Sequence, residues 1–343
     1  MFQAERAKLI RPGQVKVETE EVELHDDRVL VEMETLALSG GTDLNLYRGV
    51  SHVRFGFNPG YPCLIASGDT GVGRVIAVGR NMTGWKENDL VITGGLSTRS
   101  ALPDPDLKVP KLIRVPEDLD KESVAFLHQI RVALNAVRRA RIVLGDTVVV
   151  IGLGVIGNFV VQLAKMAGAG KVIGIDLYPF RLKQALLAGA DDAIHAEDKH
   201  IDDLIHRATG GHGADIIIDA SGSSRTIHNA FKWAAFMGRI VILGWVIDPV
   251  KELFLGDYFH FKQLEIISSQ VRYHYPGDVN HVRRWTEEAN YQYIFDLIRN
   301  HKLSIKPLIT HRFLISEAPE CFRMLKERPD EVLGVLFVKE KSH

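Results

Sequence analysis

Two hydrophobic rhythms divide the chain. As far as roughly residue 100, short stretches that alternate apolar and polar positions are punctuated by Gly, Pro and Asn. They predict strands over Val15–Val22, Arg28–Thr35, Gly71–Val78 and Asp89–Thr93, a β-rich, barrel-like region. From Lys121 a helical period takes over and then gives way to strict alternation. Strands are expected over Thr147–Ile151, Lys171–Ile175, Asp192–His195, Ala214–Ala220 and Arg239–Gly244, and Leu264–Ser268 closes the series. Between them lie helices over Val155–Ala167, Arg181–Ala188, Ile201–Thr209 and Thr226–Met237. Such alternation requires a parallel, doubly wound α/β sheet, because parallel neighbours must be joined by crossovers. The C-terminal stretch changes again, with helices over Val282–Asn300 and Ser316–Lys326 around a strand-like Leu308–Phe313 and a last strand over Val332–Val338. A last strand that pairs back with the first region would leave residues 129–268 as a domain inserted into a split one made of 1–128 and 269–343.

One of the alternating units carries chemistry. Gly152, Gly154 and Gly157 follow the Thr147–Ile151 strand in G-x-G-x-x-G spacing. They open a helix whose Ile156, Val160, Leu163, Ala164 and Ala167 share a face. Gly152 permits a tight turn, Gly154 lets main chain approach a pyrophosphate, and Gly157 lets helix and sheet pack closely. The anion then meets the helix N-terminus at Val155 and Ile156. Asp176 ends the next strand about 20 residues beyond the glycines, where a carboxylate accepts ribose hydroxyls and repels a 2′-phosphate. NAD is therefore the expected cofactor, although Arg181 nearby is the kind of cation a 2′-phosphate uses. Ser221, after Asp219-Ala220, and Leu243-Gly244 end two further strands; they are contacts for the nicotinamide half or ordinary strand-to-helix turns.

Bulk properties narrow the function class. A chain of 343 residues suits two domains, and a formal net charge of −1 leaves no electrostatic footprint for nucleic acid or an anionic membrane. A small-molecule substrate is the expectation. The only cysteines, Cys63 and Cys321, are far apart, which points to a reducing, cytoplasmic setting. No stretch has the apolar length of a signal peptide or membrane span.

The order of motifs resembles the medium-chain dehydrogenase/reductase superfamily, in its zinc-type alcohol- and polyol-dehydrogenase branch, over nearly the whole chain. Ser39-Gly40-Gly41-Thr42-Asp43 is similar to that family's C-G-[TS]-D segment, and Gly73-Arg74-Val75-Ile76-Ala77-Val78-Gly79 to its G-x-V-x-x-V-G strand. Asn88-Asp89-Leu90-Val91 and Leu308-Ile309-Thr310-His311 match its G-D-x-V and L-I-T-H segments. The resemblance implies a Rossmann domain beside a β-rich GroES-like catalytic domain, and a homodimer or homotetramer built through the nucleotide domain.

It also implies a departure. Gly40 stands where zinc-type members carry a ligand cysteine, Gly68-Asp69-Thr70 replaces G-H-E, and His128 aligns with the third ligand. Asp69 and His128 are only two ligands where a catalytic zinc normally has three, and the structural-zinc loop is absent, so no metal is expected. A hydroxyl group oxidised without zinc needs a general base, and imidazole is suited to that work. His128 is the candidate base, Asp69 the carboxylate that orients it, and Thr42 the relay hydroxyl. Asn45 stands in place of a relay histidine and is a candidate for hydrogen bonding to a polyol. Arg272, within Gln270-Val271-Arg272-Tyr273-His274-Tyr275, is a candidate for binding an oxygen-rich or anionic substrate. Each has a plainer alternative: a packed histidine, a turn carboxylate, a helix cap and a solvated charged face. The leading expectation is a zinc-independent oxidoreductase moving a hydride between a secondary alcohol of polyol, sugar or cyclitol type and NAD. A quinone- or enoyl-type reductase using NAD(P)H and a non-catalytic NAD-binding protein are the alternatives.

Overall fold

Antiparallel strands open the chain. β1 (Phe2–Arg11) and β2 (Gln14–Val22) form a hairpin, followed by β3 (Val29–Ala37), helix α1 (Gly40–Tyr47), β4 (Cys63–Leu64), β5 (Gly71–Val78), β6 (Leu90–Thr93) and β7 (Arg99–Leu102). The computed structural model describes residues 1–50, 63–64, 71–102, 112–251, 253–271 and 285–340. These fall into two units, Met1–His128 with Arg272–His343, and Gln129–Val271.

In the first unit a short helix α2 (Lys121–Val124) is capped by Asp120, whose carboxylate accepts the Ser123 N–H (3.1 Å) and hydroxyl (2.6 Å). Helix α3 (Leu127–Ala140) leads into the second unit. There β8 (Thr147–Ile151), α4 (Val155–Met166), β9 (Lys171–Asp176), α5 (Pro179–Leu187), β10 (Asp192–His195), α6 (Ile201–Ala208), β11 (Ala214–Asp219), α7 (Arg225–Trp233), β12 (Ala234–Ile242) and β13 (Glu265–Ser268) follow in order. Back in the first unit come α8 (Glu287–Arg299), β14 (Ile309–Phe313), α9 (Ala318–Glu327) and β15 (Gly334–Val338).

The second unit is the expected doubly wound sheet. All six strands are parallel, in the order β10-β9-β8-β11-β12-β13. The chain winds outward from β8 to β10, returns to β11 beside β8, and winds outward the other way. The carboxyl ends of β8 and β11 therefore flank the switch point where ligands of such sheets sit. Val149, Ile173, Ile217 and Ile240, from four adjacent strands, share one core with Phe231 and Trp233 of α7.

The first unit holds a sheet in the order β14-β15-β3-β5-β6, with β7 also on β3, and a three-stranded sheet β2-β1-β4. One core there gathers Leu9, Leu36, Phe322 and Phe337, and β15 pairs antiparallel with β3.

Several elements differ from the sequence reading, among them the short strands β4 and β7, which were not expected. The helix expected over Thr226–Met237 ends at Trp233, whose indole N–H donates to Asp202 (2.8 Å) from within the core. The chain then extends as β12, because Met237 takes φ +60° and gives its N–H to the Lys262 carbonyl instead of to the preceding turn. β1 was not expected: its fully covered positions Ala4, Ala7 and Leu9 break the strict period of two. Ala167, placed on the buried face of α4, is its exposed C-cap, whereas Asn158, Phe159, Val161 and Gln162 are buried too.

Candidate functional site

The glycine loop is fixed by main chain meeting main chain. Gly152 takes φ +86°, and a Cβ there would lie 2.7 Å from the Ser221 nitrogen and Cα. A Cβ on Gly157 would lie 1.9 Å from the Gly152 carbonyl oxygen, so the first turn of α4 is pressed onto the loop. Gly154 is the helix cap and differs from both, since a Cβ there would meet nothing within 4 Å. The open side of the loop thus has room for a pyrophosphate, next to the N–H groups of Val155 and Ile156 in the first turn, which lack intrahelical partners.

Two side chains brace this loop from beneath. Asp176, almost fully buried at the end of β9, accepts the Leu153 N–H through Oδ2 (2.7 Å) and the Tyr178 N–H through Oδ1 (3.0 Å). Asn158, fully buried on α4, donates from Nδ2 to the carbonyls of Leu153 (2.7 Å) and Gly154 (3.1 Å). The sequence reading missed Asn158, although an amide inside an otherwise apolar helix was the visible signal. Arg181 lies with its guanidinium 3.9 Å from Asp176 Oδ2 and over the Tyr178 ring, 4.7 Å from its centroid.

Across β8, Ser221 is exposed while Leu243 and Gly244 are half-buried, at the ends of β11 and β12. The N–H groups of Leu243 (2.9 Å) and Gly244 (2.8 Å) both donate to the Asp219 carbonyl. Burial pushes the Asp219 carboxyl above its ordinary value against the opposing pull of hydrogen bonds from Ser221 and Thr226.

In the other unit, Thr42 is the third residue of α1 and half-buried, and the cap position belongs to Ser39. Asp43 closes that helix end by accepting the Ser39 N–H at 3.1 Å. Asn45 is half-buried on the same helix. His128 stands, half-buried, in the first turn of α3. Asp69 and Arg272 lie outside the described residues. At Gly40 there is no donor atom, so the position that resembles a zinc-ligand cysteine supplies none. Among the described residues no group of three or more His, Cys, Asp or Glu is placed to hold a metal. Cys63 and Cys321 are buried free thiols, both pushed up by desolvation and by the Asp43 carboxylate.

Comparison with known proteins gives this geometry its place. Residues 155–288 match the family described as zinc-binding dehydrogenase. The D-guloside 3-dehydrogenase of Escherichia coli K12 is 28% identical over 273 residues, 79% of this chain and 77% of its own. Both matches support the resemblance to the medium-chain dehydrogenase/reductase superfamily. Solved structures share the fold over nearly the whole chain. A protein of Sinorhizobium meliloti 1021 described as a putative zinc-binding dehydrogenase, bound to NADP, superposes with a TM-score of 0.78 at 21% identity, over 99% of this chain and 100% of its own. An Escherichia coli CFT073 protein described as a short chain alcohol dehydrogenase, complexed with NADH, superposes with a TM-score of 0.80 at 20% identity, over 98% of this chain and 99% of its own. The relatives named by sequence are dehydrogenases and reductases of alcohols and polyols, among them a D-xylulose reductase of Saccharomyces cerevisiae, 28% identical over 63% of this chain and 57% of its own.

Proposed function

We propose that the protein is an NAD-dependent dehydrogenase of a secondary alcohol of polyol, sugar or cyclitol type, working without a catalytic zinc. The observation that carries the choice of cofactor is Asp176, a buried carboxylate that ends β9 and holds the glycine loop. A 2′-phosphate would be brought against that charge, and Arg181, the nearby cation, is already drawn onto Asp176 and Tyr178. Gly152, Gly154, Gly157, Val155 and Ile156 would hold the pyrophosphate; Ser221, Leu243 and Gly244 would line the nicotinamide half. Bound NAD supplies the hydride acceptor.

The proton is left to this chain's own residues. His128 takes it from the substrate hydroxyl and returns it in the reverse direction, oriented by Asp69, with Thr42 passing it onward. Asn45 and Arg272 hold the other oxygens of the substrate. A glycine at position 40 supports a proton-transfer route in place of a Lewis acid, because zinc would lose one of its three protein ligands there. The 28% identity with a D-guloside 3-dehydrogenase supports a polyhydroxylated substrate. Adding NAD and a panel of polyols, sugars and cyclitols to chelator-treated protein is expected to generate NADH. Loss of turnover on chelation that added zinc restores would overturn the metal-free route. Tighter binding of NADPH than of NADH would overturn the cofactor.

We also propose that the protein works in the cytoplasm as a homodimer or homotetramer joined through the nucleotide unit. No described helix is long and apolar enough to cross a membrane. β13 is an edge strand with Ile266 45% exposed, and Phe236, Met237, Phe254 and Phe261 are also exposed in that unit. Sedimentation of a single-chain mass at micromolar concentration would overturn this assembly.

A further inference from the structure

Asp219 stands at the carboxyl end of β11, inside the parallel sheet, and nothing in the glycine fingerprint accounts for it. It is fully buried at the end of β11. Oδ1 accepts both the N–H (2.9 Å) and the hydroxyl (2.6 Å) of Ser221, and Oδ2 is bonded to the Thr226 hydroxyl. Its own carbonyl accepts the Leu243 and Gly244 N–H groups, and the next residue, Ala220, donates its N–H to the Ile151 carbonyl (2.8 Å). Asp219 and Ala220 thus tie together the ends of β8, β11 and β12. These turns have no slack: a Cβ on Gly152 would strike Ser221, and one on Gly244 would come within 2.2 Å of the Gly222 nitrogen.

The order of strands says which part of a dinucleotide this arrangement serves. Asp176 marks the adenosine side on β9, the glycine loop at β8 takes the pyrophosphate, and β11 and β12 lie on the other side of β8. We propose that Asp219 is a positioning residue for the nicotinamide half of the cofactor: its carboxyl group fixes Ser221 and Thr226 while its carbonyl fixes the Leu243–Gly244 turn. The inference rests on the NAD reading above.

The hydrogen-bond arithmetic gives a sharp test. Ionised, the carboxylate has three donors: the Ser221 N–H, the Ser221 hydroxyl and the Thr226 hydroxyl. Protonated, it donates to Thr226, which can turn its own proton to the Ser223 carbonyl, 2.7 Å away. An asparagine reproduces the second pattern, since its oxygen accepts from Ser221 and its NH₂ donates to Thr226. Alanine reproduces neither pattern and leaves the two hydroxyls unheld.

Titration of the whole protein with NADH and with ADP, which lacks the nicotinamide riboside, separates the possibilities. Asp219→Ala is expected to weaken NADH about tenfold and to leave ADP within about twofold, and Asp219→Asn to keep both within about threefold of the wild type. Unchanged NADH affinity in Asp219→Ala, or equal weakening of both ligands, would overturn the proposal. Should Asp219→Ala fail to fold, Thr226→Val is expected to weaken NADH about threefold and spare ADP; no selective loss there would overturn it as well. A wild type that binds neither nucleotide removes the NAD reading and this inference with it, whereas a wild type that binds both leaves only the variants to decide.

Discussion

At the carboxyl ends of β8, β11 and β12 the second unit sets main chain against main chain; on α1 of the other unit, the positions proposed for catalysis are side chains on an ordinary helix. The contrast is sharpest between two glycines. A Cβ on Gly157 would sit 1.9 Å from a carbonyl oxygen, whereas one on Gly40 would meet nothing within 4 Å. Where the backbone itself forms the site, only one residue type fits. Where the scaffold merely presents side chains, a ligand can become glycine and the fold remains. A metal-binding set can therefore change while the cofactor site stays intact.

Substitutions can break this comparison or sharpen it. The largest effect is expected from Gly157→Ala, which should destabilise the protein by about 3 kcal/mol or more and abolish NADH binding, read by thermal melting and fluorescence titration. His128→Ala is expected to lower kcat by about 10²- to 10⁴-fold with NADH affinity unchanged; equal turnover would remove the proposed base. Asp176→Ser should cost about tenfold in the preference for NADH over NADPH, because it removes the charge facing a 2′-phosphate and frees Arg181. Gly40→Ala, by contrast, should stay within about 0.5 kcal/mol of the wild type. A large loss there would mean that α1 is as constrained as the glycine loop.

The smallest effects are in the pH dependence of stability, where the two units carry opposite signs. His311, on β14 with its ring stacked on Phe313, is held below its ordinary value of 6.5 by burial, with Arg328 adding to the effect. The unfolded chain takes up that proton first, so stability is full above about pH 6.5 and falls as pH drops through that value towards the depressed one. Asp219 is raised above its ordinary 3.8, so its contribution is full below 3.8 and is lost as pH rises through the raised value. His311→Gln should flatten the first slope and Asp219→Asn the second in denaturant titrations across pH.

Much of this was legible in the sequence because it rests on local periodicity. Gly71–Val78, Thr147–Ile151 and Asp192–His195 are strands at the expected boundaries, and the β-α alternation gave the parallel sheet. Helix α7 was read four residues too long because Ala234 and Ala235 suit a helix, and only the packing of Trp233 and the Met237–Lys262 hydrogen bond turn the chain. β1 went unread because its buried positions depend on which partners cover them. The residues proposed for the cofactor follow from spacing; the hydrogen bonds that hold their loop do not.

The sequence by itself determined the strand, the glycines, the helix and the acidic residue after the second strand, since each answers to a torsion angle or a period within a short segment. Only the tertiary structure decided that Asn158 and Asp176 brace the loop and that Asp219 and Ala220 knot three strand ends together. Those hydrogen bonds depend on which strands lie side by side, and the winding order that brings Ile151, Asp219 and Gly244 together joins residues far apart along the chain.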